Sequence, residues 1–239
     1  MHTVKFIYSD GEKENMKKDL LVILNPRQHQ PSIESLKSLN IPKVWITGMH
    51  EGDALEEVNN IVKKTDYENY IMQSDDVIVN QEQIDAITEN NKDYDILSGW
   101  CKLNPKVDNV NVCPAEWGQK LKLTGKSPIK SDYPFYGKRY TYDNIMETID
   151  TDIFETYSIG FSFTSFKRNV LLEYPLKPYN YKKKFIASDH NISYRIVEDG
   201  KYKMYVHKNA FFEHLKLKSG RNRSLFKVGK KFRKTTWEI

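Results

Sequence analysis

The hydrophobic positions fall into short blocks whose period changes along the chain. Val4–Tyr8 reads as a short strand, and Leu20–Leu24 is a continuous apolar run of the kind a sheet buries on both faces. Asn25-Pro26 stops that run. Pro31 then opens a segment with Ile33, Leu36 and Leu39 at three-residue steps, which predicts a short amphipathic helix over 31–39. Lys43–Thr47 predicts a strand closed by Gly48. Asp53 stands where an N-cap would, ahead of 54–64, whose Leu55, Val58, Ile61 and Val62 share one helical face. Tyr70–Met72 predicts a strand, 80–90 a helix and 95–98 another strand. Strands alternating with helices in this way predict an α/β fold with a largely parallel sheet.

The rhythm is lost from residue 99 to about 151. Pro, Gly, Asn and Lys dominate there, and Tyr133, Phe135, Tyr136, Tyr140 and Tyr142 crowd one stretch. A connection that long inside one domain is usually functional or mobile. Its tyrosines read first as loop packing and second as a platform for sugar rings. The pattern then resumes, with an alternating strand over 157–163, a short helix over 167–172, a helix over 188–197 capped at Ser188-Asp189, and strand pieces at 203–207 and 210–212. There is no internal repeat.

At 239 residues the chain suits one sizeable domain that buries roughly 70–75% of its unfolded surface. Aromatic residues at 13% rule out a disordered composition. Cys101 and Cys113 lack a companion Cys-x-x-Cys or His pair, which excludes a disulfide scaffold and a four-ligand zinc site and leaves two idle thiols. No apolar run approaches the roughly 18–20 residues of a membrane span, and Lys5, Asp10 and Glu12 occupy positions where a signal peptide needs an apolar block. A cytoplasmic protein is expected, with peripheral contact at a membrane left open.

The net charge of +5 is unevenly placed. Beyond His214 lie nine cations against Glu238 alone, a local +8, so the remainder carries −3. The bland reading of this end is a solvated charge run. Two others stay open: a module that lays its basic, aromatic-containing tail along an anionic surface or nucleic acid, and a cover for a phosphate-binding site.

Chemistry concentrates first at 70–79, where an apolar strand runs into Asp75-Asp76. The carboxyl end of a strand is where α/β sheets bind ligands, and adjacent carboxylates repel unless a hard divalent cation relieves them. A turn or a helix cap accounts for the pair equally well. The order of the surrounding segments narrows the choice. Pro26-Arg27-Gln28 follows the first buried strand. Asn60 and Lys63 lie on the helix that feeds the strand ending at Ser74-Asp75-Asp76. Ser188-Asp189 opens a later helix, and Phe211-Phe212 leads to Glu213-His214.

This order resembles the GT-A fold glycosyltransferases, in particular the family-2-like group that uses nucleotide-diphosphate sugars. The resemblance implies a single-domain GT-A-like (Rossmann-type) α/β fold, a mixed, largely parallel sheet flanked by helices over residues 1–214. Residues 20–100 would form the nucleotide-sugar half and 101–214 the acceptor half, with 215–239 a basic C-terminal tail able to act as a lid. It assigns Pro26, Arg27, Asn60, Lys63, Ser74 and Asp75 to the nucleotide sugar, Asp76 and His214 to a bound Mn2+ or Mg2+, and Asp189 to the general base. Arg221 and Arg223 would meet the diphosphate from the tail.

The sequence departs from the family pattern twice. Ser74 replaces the first Asp of the DXD motif, which leaves Asp76 as the metal ligand and Asp75 as a ribose or supporting contact. Ser188 replaces the acidic residue that often precedes the base. The expected reaction moves a sugar from a nucleotide-diphosphate donor to a glycan or other hydroxyl acceptor with inversion. A nucleotidyltransferase of related fold is the other enzymatic reading, but it should carry a Gly-rich phosphate loop after the first strand, and residues 25–31 contain no glycine.

Overall fold

Strand β1 (Asp19–Asn25) is apolar from Leu20 to Leu24 because helices cover it on both sides. Its Leu20 and Val22 join a core with Leu55, Val58 and Val62 of α2 (Glu51–Lys64), whereas Leu21 and Ile23 join a second core with Leu36 of α1 (Gln30–Lys37) and Ile84 and Ile87 of α3 (Gln81–Thr88). Strands β2 (Lys43–Thr47) and β3 (Asn69–Ser74) flank β1 in parallel, and β3 alternates in the same sense, Tyr70 and Met72 to one core and Ile71 to the other. Gly48 ends β2 with φ 66°, a left-handed conformation that suits glycine. The computed structural model describes residues 18–26, 30–49, 51–104, 107–115, 139–177, 179–181, 184–186, 188–215 and 234–238.

Past β3 come the two-residue β4 (Val77–Ile78), α3, β5 (Ile96–Trp100) and the antiparallel pair β6 (Lys102–Asn104) and β7 (Val107–Val110). Helix α3 starts in a capping box: Asn80 accepts from the Gln83 N–H, and Gln83 accepts from the Asn80 N–H. Helix α4 (Tyr142–Thr148) opens in the same way on Thr141 and Asn144. Strands β8 (Ile153–Thr156) and β9 (Phe163–Lys167), helix α5 (Arg168–Glu173), the pair β10 (Tyr179–Tyr181) and β11 (Lys184–Ile186), and helix α6 (Ser188–Asp199) follow. Then come β12 (Met204–Phe211), β13 (Glu213–His214) and β14 (Lys234–Glu238).

The main sheet has eight strands in the order β14-β2-β1-β3-β9-β5-β12-β8. From the pairings, β1, β2, β3, β5 and β12 run one way and β14, β9 and β8 run against them. The sheet is thus mixed and largely parallel, as expected, and the five parallel strands end at one edge.

Four expectations are corrected. Residues 157–163 are not a strand. Tyr157, Ile159 and Phe161 are buried, so their alternation reflects a packed connection between β8 and β9, and only Phe163 begins a strand. The pieces 203–207 and 210–212 form the single strand β12, whose pairing with β5 breaks register between Val206 and Phe211. Asp53 lies inside the first turn of α2 instead of capping it, because the helix begins at Glu51. Asp189 likewise lies within α6.

The far end of the chain is a strand of the sheet. β14 pairs antiparallel with β2, Trp237 packs against the first core, and Thr235 Oγ1 donates to Glu57 Oε1 at 3.0 Å. The predicted strand 4–8, residues Tyr133 to Tyr136 and the basic segment 216–233 lie outside the described residues. Cys101 and Cys113 are buried thiols.

Candidate active site

The carboxyl ends of the parallel strands supply the walls of one cleft of about 260 Å3. Pro26 follows β1, Met49 and Glu51 follow β2, Ser74 ends β3, and Ser188 and Asp189 open α6 on the other side. Leu24, Ile46, Leu55 and Phe161 form its apolar surface, and Glu51, Ser74, Asp76, Ser162, Ser188 and Asp189 its polar surface. No lysine or arginine among the described residues lines it.

A tight turn after β3 sets Asp76. Ser74 Oγ donates to Asp76 Oδ1 at 2.7 Å, and Asp76 Oδ2 lies 3.3 Å from Nε2 of His214. His214 arrives from 138 residues away because β13 pairs antiparallel with β4, putting His214 opposite Val77, and because the Leu215 N–H donates to the Asp76 carbonyl at 2.7 Å. The Asp76 and His214 side chains are each 14% exposed. The other ring nitrogen, Nδ1, is buried and has no hydrogen-bond partner among the described residues, whereas Nε2 faces Asp76. Asp75 is 0% exposed and does not line the cleft, so the turn presents Ser74 and Asp76 and buries the residue between them.

Asp189 stands on the opposite wall. Its Oδ1 accepts the His190 N–H at 2.7 Å, and Ser193 Oγ donates to its carbonyl at 2.8 Å while accepting the Ile159 N–H at 3.3 Å. The last two bonds tie the 157–162 connection to α6. Oδ2 faces Gly160: a Cβ built there would lie 3.7 Å from it, and 3.8 Å from Ser162 Oγ. One oxygen of Asp189 is therefore fixed by backbone, and the other looks toward a position that carries no side chain.

Glu51 completes the polar wall. Its Oε1 accepts from Ser188 Oγ at 2.9 Å, linking the starts of α2 and α6. Burial pushes the Glu51 carboxyl above its ordinary range, and the charge of Asp189 pushes the same way, against the hydrogen bonds from Ser188. Sequence reasoning missed this residue. It lies in no local motif, and its contact with Ser188 spans 137 positions.

Of the sequence-derived site residues, the fold thus brings together Pro26, Ser74, Asp76, Asp189 and His214. It separates Asn60 and Lys63. These lie nine and twelve residues beyond Glu51 on a straight helix, about 14 and 18 Å along its axis, and neither lines the cleft. Helical periodicity put them on the correct element but not at its correct end. Neighbouring Asn59 has a structural task, exchanging hydrogen bonds with the backbone of Leu176. Arg27, Arg221 and Arg223 lie outside the described residues.

The donor set of Asp76 and His214 fits a divalent cation in one respect and limits it in another. Their 3.3 Å separation is close to the roughly 3.0 Å between adjacent ligands of an octahedral ion with bonds of roughly 2.1 Å. Among the described residues, however, no group of three or more His, Cys, Asp or Glu side chains could hold a metal. The pair suits an open site completed by water and substrate oxygens, and does not suit a closed structural one.

Comparison with known proteins bears on the fold. No protein-family model matches the chain, and no curated protein is similar to it in sequence. Among solved structures, GalNAc-T7 with UDP, GalNAc and Mn2+ aligns at a TM-score of 0.50 and 11% identity, covering 85% of this chain. GalNAc-T7 is a GT-A glycosyltransferase. The fold is GT-A-like.

The likeness is one of architecture, and this chain spans 44% of the length of that structure. A197 from STIV also aligns, at a TM-score of 0.44 and 14% identity, over 85% of this chain and 97% of its own. The GT-A-like sheet puts the Ser74–Asp76 turn, His214 and Asp189 at its carboxyl edge. Among the described residues no helix is long and apolar enough to cross a membrane.

Proposed function

We propose that the protein is a glycosyltransferase that moves a sugar from a nucleotide-diphosphate donor to a hydroxyl acceptor, with inversion. One observation carries this reading: on the carboxyl edge of a GT-A-like sheet, Asp76 paired with His214 and a second, separately held carboxylate, Asp189, line one cleft. A diphosphate leaving group and an acceptor hydroxyl need opposite services, and the two walls offer them. Asp76 and His214 would hold Mn2+ or Mg2+, which supplies Lewis-acid stabilisation of the charge that develops on a departing diphosphate.

The remaining tasks belong to the chain. Asp189 takes the acceptor proton on Oδ2, because Oδ1 is occupied by the His190 N–H. The acceptor oxygen bonds to the anomeric carbon as that carbon's bond to the diphosphate oxygen breaks, and the nucleoside diphosphate leaves with the electron pair. General-base help of this kind is typically worth about 10²–10⁴-fold. Ser74 holds Asp76 Oδ1, which keeps Oδ2 toward His214. Leu24, Ile46, Leu55 and Phe161 reduce access of water, the competing acceptor.

A thermal-shift screen of nucleoside diphosphates and their sugars, with and without Mn2+, tests the donor side. The expected result is a shift with one diphosphate that needs Mn2+ and disappears in Asp76→Ala. No metal-dependent shift with any of them would overturn the reading. Anomeric NMR of the product tests inversion, and a retained configuration would remove the single-base mechanism. Arg221 and Arg223 remain candidates for the diphosphate. Leu215 and Lys234, the described residues on either side of that segment, sit beside Asp76 and opposite Thr47 at the end of β2.

A further inference from the structure

Glu51 has no place in the mechanism above, yet its carboxylate lies in the cleft wall at the point where two helices begin. A half-buried carboxylate needs a reason to be there, since drawing its charge away from water is costly. Its recorded hydrogen-bond partner is Ser188, the residue before Asp189 and the first of α6. The bond is long-range and side chain to side chain, so it fixes the start of α6 against α2 and thereby sets where Asp189 stands. Asp189 itself is held locally by the His190 N–H and by Ser193 four residues on. The α6 contacts hold Asp189 within its helix, and the Glu51 contact holds that helix end in the cleft.

We infer that Glu51 is a positioning residue for Asp189: through Ser188 it anchors the helix end that presents Asp189. This inference rests on the glycosyltransferase reading for its consequence in catalysis, but the contact between Glu51 and Ser188 stands with or without that reaction.

The test uses the full chain and has two readouts. First, amide hydrogen exchange over the first turns of α6 is measured in wild type, Glu51→Ala and Glu51→Gln, with no ligand added. Glu51→Ala removes the oxygen that accepts from Ser188, so exchange there should speed up about tenfold, and Glu51→Gln, which keeps an oxygen for Ser188, should stay near wild type. Unchanged exchange at α6 in folded Glu51→Ala overturns the inference. Second, with the sugar nucleotide found in the donor screen, Glu51→Ala should lower kcat about tenfold to a hundredfold with little change in the donor KM, and Glu51→Gln should restore most of it. A rise in the donor KM alone, or no kinetic change in Glu51→Ala, counts against Glu51 positioning Asp189. Faster exchange at α6 together with no turnover of any sugar nucleotide would leave the anchoring contact standing and overturn the glycosyltransferase reading.

Discussion

The two edges of the main sheet carry two hollows, and the larger is the less informative. At the amino edge a cavity of about 350 Å3 lies among Lys18, Asp19, Pro42, Tyr67, Gln81 and Asp85. Its polar groups are turned toward one another. Asn69 and Asn91 donate to Asp19 Oδ1 at 3.0 and 2.7 Å, Gln81 Nε2 donates to Asp85 Oδ1 at 2.8 Å, and the Asn40 N–H donates to Gln81 Oε1 at 2.8 Å. At the carboxyl edge the cleft is smaller, but Asp189 Oδ2 looks toward Gly160, which carries no side chain, and Asp76 stands in the wall with Ser74 and His214 on its two oxygens. Strand direction explains the difference. Chain segments leaving the ends of parallel strands have no ladder partner to satisfy, so they can aim side chains at a ligand. Volume alone would have pointed to the amino edge.

The largest effect that could break this contrast is expected from Asp76→Ala. Loss of the carboxylate that pairs with His214 should cost about 10³-fold or more in sugar transfer and abolish Mn2+ dependence, whereas Asp85→Ala at the amino edge should leave both unchanged. Equal losses in steady-state assays of the two variants would erase the distinction. Asp189→Asn ranks next. It keeps the bond from the His190 N–H and removes the proton acceptor, so kcat should fall about 10²–10⁴-fold while the donor KM holds.

The carboxyl edge was legible in the sequence where chemistry and local pattern coincide. The run Leu20–Leu24 followed by Asn25-Pro26, the apolar strand entering Asp75-Asp76, and Ser188-Asp189 opening an amphipathic helix all signal themselves within ten residues. The structure keeps each at a strand or helix end. His214 was reachable only as the end of an aromatic strand. Its link to Asp76 depends on the β4 and β13 pairing, and two-residue strands leave no periodic trace. Asn60 and Lys63 share α2 with the cleft without lining it, because a helix advances about 1.5 Å per residue. Glu51 was invisible because its task is defined by a contact across the fold. The strand expected at 157–163 failed because a buried connection can alternate apolar and polar residues without pairing.

A smaller and more selective test lies beside Asp189. A Cβ at Gly160 would come no nearer than 3.4 Å to its neighbours, the first being Asn111 Nδ2. Gly160→Ala should therefore fold with little change in Tm. The methyl would nevertheless occupy space next to Asp189 Oδ2, where the acceptor hydroxyl must arrive, so the acceptor KM should rise about tenfold with the donor KM unchanged. Gly99→Ala is the contrasting control. A Cβ there would lie 2.6 Å from the Ala210 carbonyl oxygen, so it should lower Tm through destabilisation of about 1–3 kcal/mol. An active, fully stable Gly160→Ala with wild-type acceptor KM would move the acceptor away from this wall.

The smallest expected effect belongs to the amino edge and involves stability alone. Burial raises the Asp19 carboxyl above its ordinary value of 3.8, and the hydrogen bonds from Asn91 and Asn69 only partly oppose this. A group whose folded value is raised contributes stability that is fully present below the unfolded value and is lost as pH rises through the folded one. Wild type should therefore lose ground to Asp19→Asn as pH rises above about 3.8 into the range just beyond it, and the difference in Tm between the two should level off once Asp19 is ionised. Sugar transfer should be the same in both proteins at every pH at which both are folded. A Tm difference that stays flat across this range would show that the Asp19 carboxylate is solvated after all. A loss of transfer in Asp19→Asn would mean that the amino-edge hollow takes part in the reaction, and that the division of labour between the two edges is not the one their hydrogen bonds imply.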